Sequence, residues 1–404
     1  MPSKWQRDAA ANALLEKLEQ DTAASMLRLP TDAADDAQRL KRVEETRTGA
    51  FEQPEAIART LDALRAPAED LAARLKTHPL KRIYLTGAGD SWFVAVGARL
   101  VFERLLGVPA EAIQALEYAH YYYGPTDETC VVIAISSSGN TPRALEAIYR
   151  AKEAGAFTIG VTTSKPSALT TETDGHLHAQ ASRKGWPTQT STASLAGLVL
   201  FAALLAQWRN SCSASERGAV LDALAKLPEQ VQQALERTDA RMAELGEELR
   251  TAPIHLFAGG GPALAAASFG AAKVKELCPV HAIAMPLEEY HHYRAQKPDD
   301  PLFLVAPQGL SARRTLDTVL ESKRVGGRTI ALVTKGDRTL ANQGSELIEL
   351  PAVYDGLVAI PYAAPLHLYS YHLAMAKFRH HEGYPPRLAQ HEPSLGDGRE
   401  SSNR

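Results

Sequence analysis

From about residue 80 onward, short apolar runs alternate with amphipathic stretches. Ile83–Thr86 reads as a strand and Ser91–Leu106 as a helix. Cys130–Ser136, Cys-Val-Val-Ile-Ala-Ile-Ser, is a continuous apolar run of the kind that fills a parallel sheet. A helix over Pro142–Ala154 and a strand over Phe157–Thr162 follow it. This alternation predicts an α/β fold with doubly wound, mainly parallel sheets flanked by helices. Ahead of it, a helix runs from Gln53 toward Leu75, with Pro54 suited to its first turn. Behind it, helices over about Thr192–Trp208 and Ser215–Arg250 lead into a second run of the same kind.

That second run repeats the first. Tyr84–Gly89 has a counterpart in Leu256–Gly261, and Val131–Thr162 has one in Phe303–Thr334. The sharpest echo is Gly155–Thr162 against Gly327–Thr334. An offset of about 170 residues is far longer than a solenoid period and predicts two tandem domains. The division expected is an arm over 1–50, a first domain over 51–210, a linking helix over 211–250, a second domain over 251–379 and a tail over 380–404. The arm, with sparse apolar positions, reads as one or two surface helices, for instance Asp8–Gln20, or as a partly disordered extension. A last helix spans about Ile360–Phe378.

Composition narrows the function classes. At 404 residues, 45% hydrophobic and 23% charged, the chain reads as a globular protein. A formal charge of −3 gives no reason to expect nucleic acid or a membrane surface as partner. No apolar run is expected to reach the roughly 18 to 20 residues that span a bilayer. Met1–Arg7 leads into a charged segment without a signal-peptide core, so a cytoplasmic protein is expected. Cys130, Cys212 and Cys278 are widely spaced and fit unpaired thiols. The pairs His291-His292 and His380-His381 lack a supporting cysteine or carboxylate pattern, so neither metal nor cofactor is expected.

The chemistry-bearing motif is Ser136-Ser137-Ser138-Gly139-Asn140-Thr141, directly after the most apolar strand. Ligands of open α/β sheets sit at the carboxyl ends of strands. Here hydroxyls, a glycine and the start of the helix at Pro142 converge, a combination suited to a phosphate. A helix N-cap needs only one such hydroxyl. The equivalent segment of the second run, Ala306-Pro307-Gln308-Gly309-Leu310-Ser311, has lost the hydroxyl run. Gly87-Ala88-Gly89-Asp90-Ser91-Trp92 opens like a dinucleotide fingerprint but carries Trp92 where the third glycine belongs. Tyr118, Tyr121, Tyr122 and Tyr123 could line a sugar pocket or pack between domains.

On these residues the chain resembles the sugar isomerase (SIS) family, in particular its tandem-domain members such as the isomerase half of the glutamine:fructose-6-phosphate amidotransferases. The resemblance runs from Glu52-Gln53-Pro54 through Gly87–Ser91, Ser136–Thr141, Thr190-Ser191-Thr192, Lys273-Val274-Lys275-Glu276, His281-Ala282, Glu289 and His292 toward Ser394. It implies that Ser136, Ser137, Ser138 and Thr141 hold a phosphate, with Gly89, Asp90, Ser91 and Ser191 at the phosphate or nearby sugar oxygens. Glu276 would move a proton between C1 and C2 of the open-chain sugar. Lys273, one turn earlier on the same helix face, would steady it. On spacing alone, Lys273 and Glu276 would instead be a solvated ion pair. His292 would assist ring opening, in relatives often from a neighbouring subunit, so a homodimer or higher homo-oligomer is implied.

Three departures from the synthase pattern bear on the reaction. There is no Cys at residue 2 and no glutaminase half, so free ammonia would be the amino donor or product. Gln390 stands at or near the synthase's C-terminal loop lysine. Ala193 stands where the synthase has Lys, and Asp90 where it has Thr beside the phosphate. An acid there is unfavourable for a dianion unless it faces a sugar hydroxyl or an ammonium. The activity expected is that of a phosphosugar aldose-ketose isomerase or amino-sugar-phosphate deaminase. The alternatives are a fructosamine-6-phosphate deglycase, an isomerase of a sulfonated sugar and a non-catalytic sugar-phosphate sensor.

Overall fold

The repeat in the sequence becomes two sheets with one topology in the computed structural model, which describes residues 9–122, 124–293 and 295–383. Helices α1 (Ala9–Met26) and α2 (Ala37–Phe51) precede α3 (Gln53–Arg74). The first α/β unit runs β1 (Arg82–Gly87), α4 (Asp90–Leu106), β2 (Ala110–Gln114), β3 (Cys130–Ile135), α5 (Pro142–Glu153), β4 (Phe157–Thr162), a short α6 (Ala168–Glu172) and β5 (Gly175–His178). Helices α7 (Gln189–Arg209) and α8 (Ala214–Glu248) lead to the second unit. It runs β6 (Ile254–Gly259), α9 (Pro262–Leu277), β7 (His281–Pro286), a short α10 (Glu289–His292), β8 (Pro301–Ala306), α11 (Ala312–Val325), β9 (Arg328–Thr334), β10 (Glu346–Leu350) and α12 (Ala363–Arg379).

The strand orders are β2-β1-β3-β4-β5 and β7-β6-β8-β9-β10, and every pairing is parallel. The chain is therefore an α/β protein of two doubly wound parallel sheets. The inner strands are those whose apolar runs are plain in the sequence; β3 and β8 are buried along their whole length. The edge strands β2, β5, β7 and β10 are not evident in the sequence. Each is half-exposed, so none carries a continuous apolar run.

Two expectations change. Helix α7 is long and apolar enough to cross a membrane by length and composition, contrary to the reading that no run is. Its apolar window is wholly buried inside the fold, because α3 and α4 cover it. The arm is also more than surface helix. Asp36 caps α2 by accepting the Arg39 N–H at 2.9 Å. Arg39 itself is only 2% exposed and donates to the Leu277 carbonyl through Nε at 3.2 Å and Nη2 at 2.6 Å. Helix α2 is thereby tied to the end of α9. Cys130 and Cys278 are buried free thiols and Cys212 a half-buried one.

Candidate active site

In each sheet the chain leaves the second-placed strand toward one edge and later returns on its other side, making a topological switch point. In the first sheet that point lies between β1 and β3, whose ends are in register at Thr86 and Ala134. The loop after β1 is Gly87-Ala88-Gly89, with Asp90 and Ser91 opening α4. Gly89 holds φ 57° and ψ −133°, a conformation only glycine adopts without strain, and it brings α4 in close behind the strand. The loop after β3 is Ser136–Thr141, so the two motifs singled out in the sequence are neighbours.

The hydroxyl loop is internally locked. Ser136 is buried, and its Oγ lies 2.8 Å from Thr141 Oγ1 and 3.3 Å from Ser138 Oγ. It also accepts the Gly139 N–H at 3.1 Å, while Ser138 Oγ accepts the Asn140 N–H at 3.2 Å. Ser137 turns the other way, its Oγ 3.1 Å from Thr163 Oγ1. Gly139 sits at φ 67°, and a Cβ there would stand 2.1 Å from Ser167 Oγ. The loop is thus held by its own hydrogen bonds, and a preorganised loop lowers the entropy cost of binding a ligand.

Across the boundary between the units, α9 delivers an ionic trio. Lys273 Nζ donates to Asp90 Oδ2 at 2.6 Å and to Glu276 Oε2 at 2.5 Å. The Lys273 side chain is 2% exposed, so this is no solvated surface pair. Burial works against its charge, but the two carboxylates outweigh burial and hold its pKa above the usual lysine value. Glu276 keeps 38% side-chain exposure at the mouth of this recess. Desolvation raises its carboxyl above the usual range; Lys273 opposes the rise, Asp90 adds to it, and Arg42 opposes it from α2. Two carboxylates share one ammonium, which leaves Glu276 readier to take a proton than an ordinary glutamate. Beneath the trio lies His367 on α12, 1% exposed, with no hydrogen-bond partner on either ring nitrogen among the described residues. Desolvation and the Lys273 charge depress its pKa to about 3, so it is neutral.

The structure thus gathers Gly89, Asp90 and Ser91 with the Ser136–Thr141 loop at one switch point, and joins Asp90 to Lys273 and Glu276. Ser191 is buried in the first turn of α7. The flanking Gln189 and Thr192 hold the other conspicuous motif: Gln189 donates to Glu52 at 2.9 Å and Thr192 to Gln53 at 3.1 Å. His292 is not brought to the trio within this chain. It stands on α10, its side chain 63% exposed and 3.5 Å from Glu288. Tyr118 and Tyr122 stack and pack with Tyr84 inside the first unit, while Tyr121 is exposed. Tyr123 and Gln390 lie outside the described residues. Arg39, Arg42 and His367 were not foreseen. The arm carries no motif, and His367 reads as one more position of a core helix.

The SIS domain family matches residues 78–205 and 248–377 of this chain. The chain is 29% identical over 332 residues to glutamine–fructose-6-phosphate aminotransferase [isomerizing] of Thermus thermophilus, covering 80% of this chain and 55% of that protein. It is 30% identical over 343 residues to the protein of the same name from Pyrococcus horikoshii, covering 84% and 56%. The chain thus spans about half the length of the curated relatives it matches. Among solved structures, the C-terminal domain of glucosamine-fructose-6-phosphate aminotransferase from Francisella tularensis superposes with a TM-score of 0.77 at 26% identity, over 82% of this chain and 96% of that one.

Proposed function

This chain belongs to the SIS domain family, and on that premise we propose that it is an enzyme moving a proton between C1 and C2 of an open-chain sugar 6-phosphate, as an aldose-ketose isomerase or an amino-sugar-phosphate deaminase. The observation that carries the reading is the Asp90–Lys273–Glu276 trio beside the hydroxyl loop. The names of the relatives, which concern fructose 6-phosphate and isomerisation, support it.

The phosphate lies in the loop, against Ser138, Thr141 and the start of α5. Glu276, ionised, takes the C2 proton as the C1 carbonyl becomes an enediolate oxygen, then delivers a proton to C1 while the O2 hydroxyl proton passes to O1, giving the ketose. Lys273 keeps Glu276 in place and balances charge as the carboxylate is protonated. With a 2-amino sugar the same transfer gives a C2 imine, which water hydrolyses to the ketose and ammonia. Ring opening is assigned to His292 of a neighbouring chain in a homodimer, consistent with its exposure.

The test is solvent-deuterium incorporation at C2, with ammonia release, over hexose, hexosamine and fructosamine 6-phosphates. Glu276→Gln is expected to bind the active substrate with little change and to lose exchange by about a thousandfold or more. Unchanged exchange in that variant sinks the assignment. Ammonia release from a fructosamine 6-phosphate alone makes the enzyme a deglycase.

A further inference from the structure

A cavity of about 500 Å³ lies at the equivalent switch point of the second sheet, between the loops after β6 and β8. Its floor is the first turn of α9 and the Gln308–Ser311 loop, and its third wall is α4 of the first unit, through Val96, Arg99 and Leu100. Helices α4 and α9 run antiparallel through the boundary between the units. Asp90 meets Lys273, Phe93 meets Phe269 edge-on at 5.9 Å, and a Cβ on Gly97 would touch Ala265 at 3.4 Å. Gly89 and Gly261, which precede the two helices, share one conformation, φ 57° and ψ −133° against φ 56° and ψ −132°. Each unit therefore ends one site and supplies the far wall of the other. The cavity is the pseudo-symmetric partner of the active site.

Its chemistry differs in a specific way. The positions as far beyond Gly89 as Lys273 and Glu276 are beyond Gly261 are Val101 and Arg104. The proton-moving acid has become a guanidinium, which lies 3.7 Å from Asp355. No hydroxyl run remains in the loop, but Arg99 lines the cavity with no ion pair or hydrogen bond among the described residues. A free guanidinium presents a planar fork that matches a phosphate. Ser311 and Asp355 offer a donor and an acceptor, and Val96, Leu100 and Leu264 an apolar wall. The volume falls in the range of small-metabolite sites. We propose that this cavity is a second, non-catalytic binding site for a small phosphorylated and hydroxylated metabolite, its phosphate on Arg99 and its hydroxyls on Ser311 and Asp355.

The experiment is calorimetric titration of the full chain with glucosamine 6-phosphate and fructose 6-phosphate, with inorganic phosphate as the bare anion and glucosamine as the uncharged probe. Two binding events per chain are expected with a hexose phosphate. Arg99→Ala weakens one of them tenfold or more, Leu264→Trp, which fills the cavity, removes the same one, and the double variant Ser138→Ala/Thr141→Ala removes the other. Arg99 is exposed, so its variant leaves the fold intact; unchanged circular dichroism checks both others. A single event that ignores Arg99→Ala and Leu264→Trp overturns the second site and leaves the Ser136 loop standing. A single event lost in those two variants but kept in the serine-threonine variant upholds the second site and sinks the loop assignment. No binding of any probe up to about 10 mM overturns both.

Discussion

Asp90 and Lys273 are 183 residues apart in the chain and 2.6 Å apart in space. The acid that looked misplaced beside a phosphate loop faces an ammonium, so its charge is neutralised before any ligand binds. The same contact pins the start of α4 in one unit to the end of α9 in the other. The case for a less charged anion, such as a sulfonate, loses its motive.

Removing the shared cation leaves two neighbouring, partly buried carboxylates with Arg42 as the remaining counter-charge beside Glu276. Lys273→Met is expected to cost about 3–5 kcal/mol at pH 7, the usual cost of breaking a buried pair by deleting one partner. Without the ammonium, desolvation and the Asp90 charge raise the Glu276 carboxyl unopposed by Lys273, so it takes up a proton more readily folded than unfolded. The deficit is therefore largest at neutral and alkaline pH and shrinks as pH falls and the carboxyl takes up its proton. Urea unfolding at pH 5 and pH 8 measures it, and an equal deficit at both removes the carboxylates from the explanation.

In the proposed function Glu276 is the base, so its raised pKa sets the acid limb of the rate profile. The base form is required, so kcat/KM should fall with decreasing pH at a value above the roughly 4.3 of a free glutamate. Asp90→Asn deletes the negative neighbour and frees Lys273 for Glu276 alone. Both changes lower the Glu276 pKa, so the limb moves to lower pH. A limb that moves upward instead contradicts the trio as described.

Much of this arrangement is legible in the sequence, because inner strands and glycine turns leave local signals. Cys130–Ile135 announces itself as a buried strand, and the echo of Tyr84–Gly89 in Leu256–Gly261 gives two units. The half-exposed edge strands do not, since their neighbours rather than their own apolar content hold them in place. Nor does the link of Arg39 to Leu277, or the place of Arg42 near Glu276, because each depends on how a remote helix docks. The pairing of Lys273 with Glu276 follows from helical spacing, but its burial follows from tertiary packing.

Gly139 tests whether the loop must be preset. Gly139→Ala forces a side chain into φ 67° and drives its Cβ toward Ser167 Oγ, costing about 1–3 kcal/mol of local strain or displacement. The loop is where the phosphate binds in the proposed function, so KM for a sugar 6-phosphate should rise about tenfold or more, with a smaller change in kcat. A variant with unchanged KM places the phosphate elsewhere.

His292 is 63% exposed and is not drawn to Glu276 in its own chain, so the proposed homodimer must supply it across the subunit boundary. Each site would then take Glu276 from one chain and His292 from the other. Glu276→Gln and His292→Ala are each expected to be inactive alone, assayed on the closed-ring substrate. Mixed after mild dissociation and reassociation, half of the dimers carry both variants, and one of their two sites is intact. About a quarter of wild-type turnover should return. If the mixture stays as inactive as its parents while heterodimers form, His292 acts within its own chain or not at all.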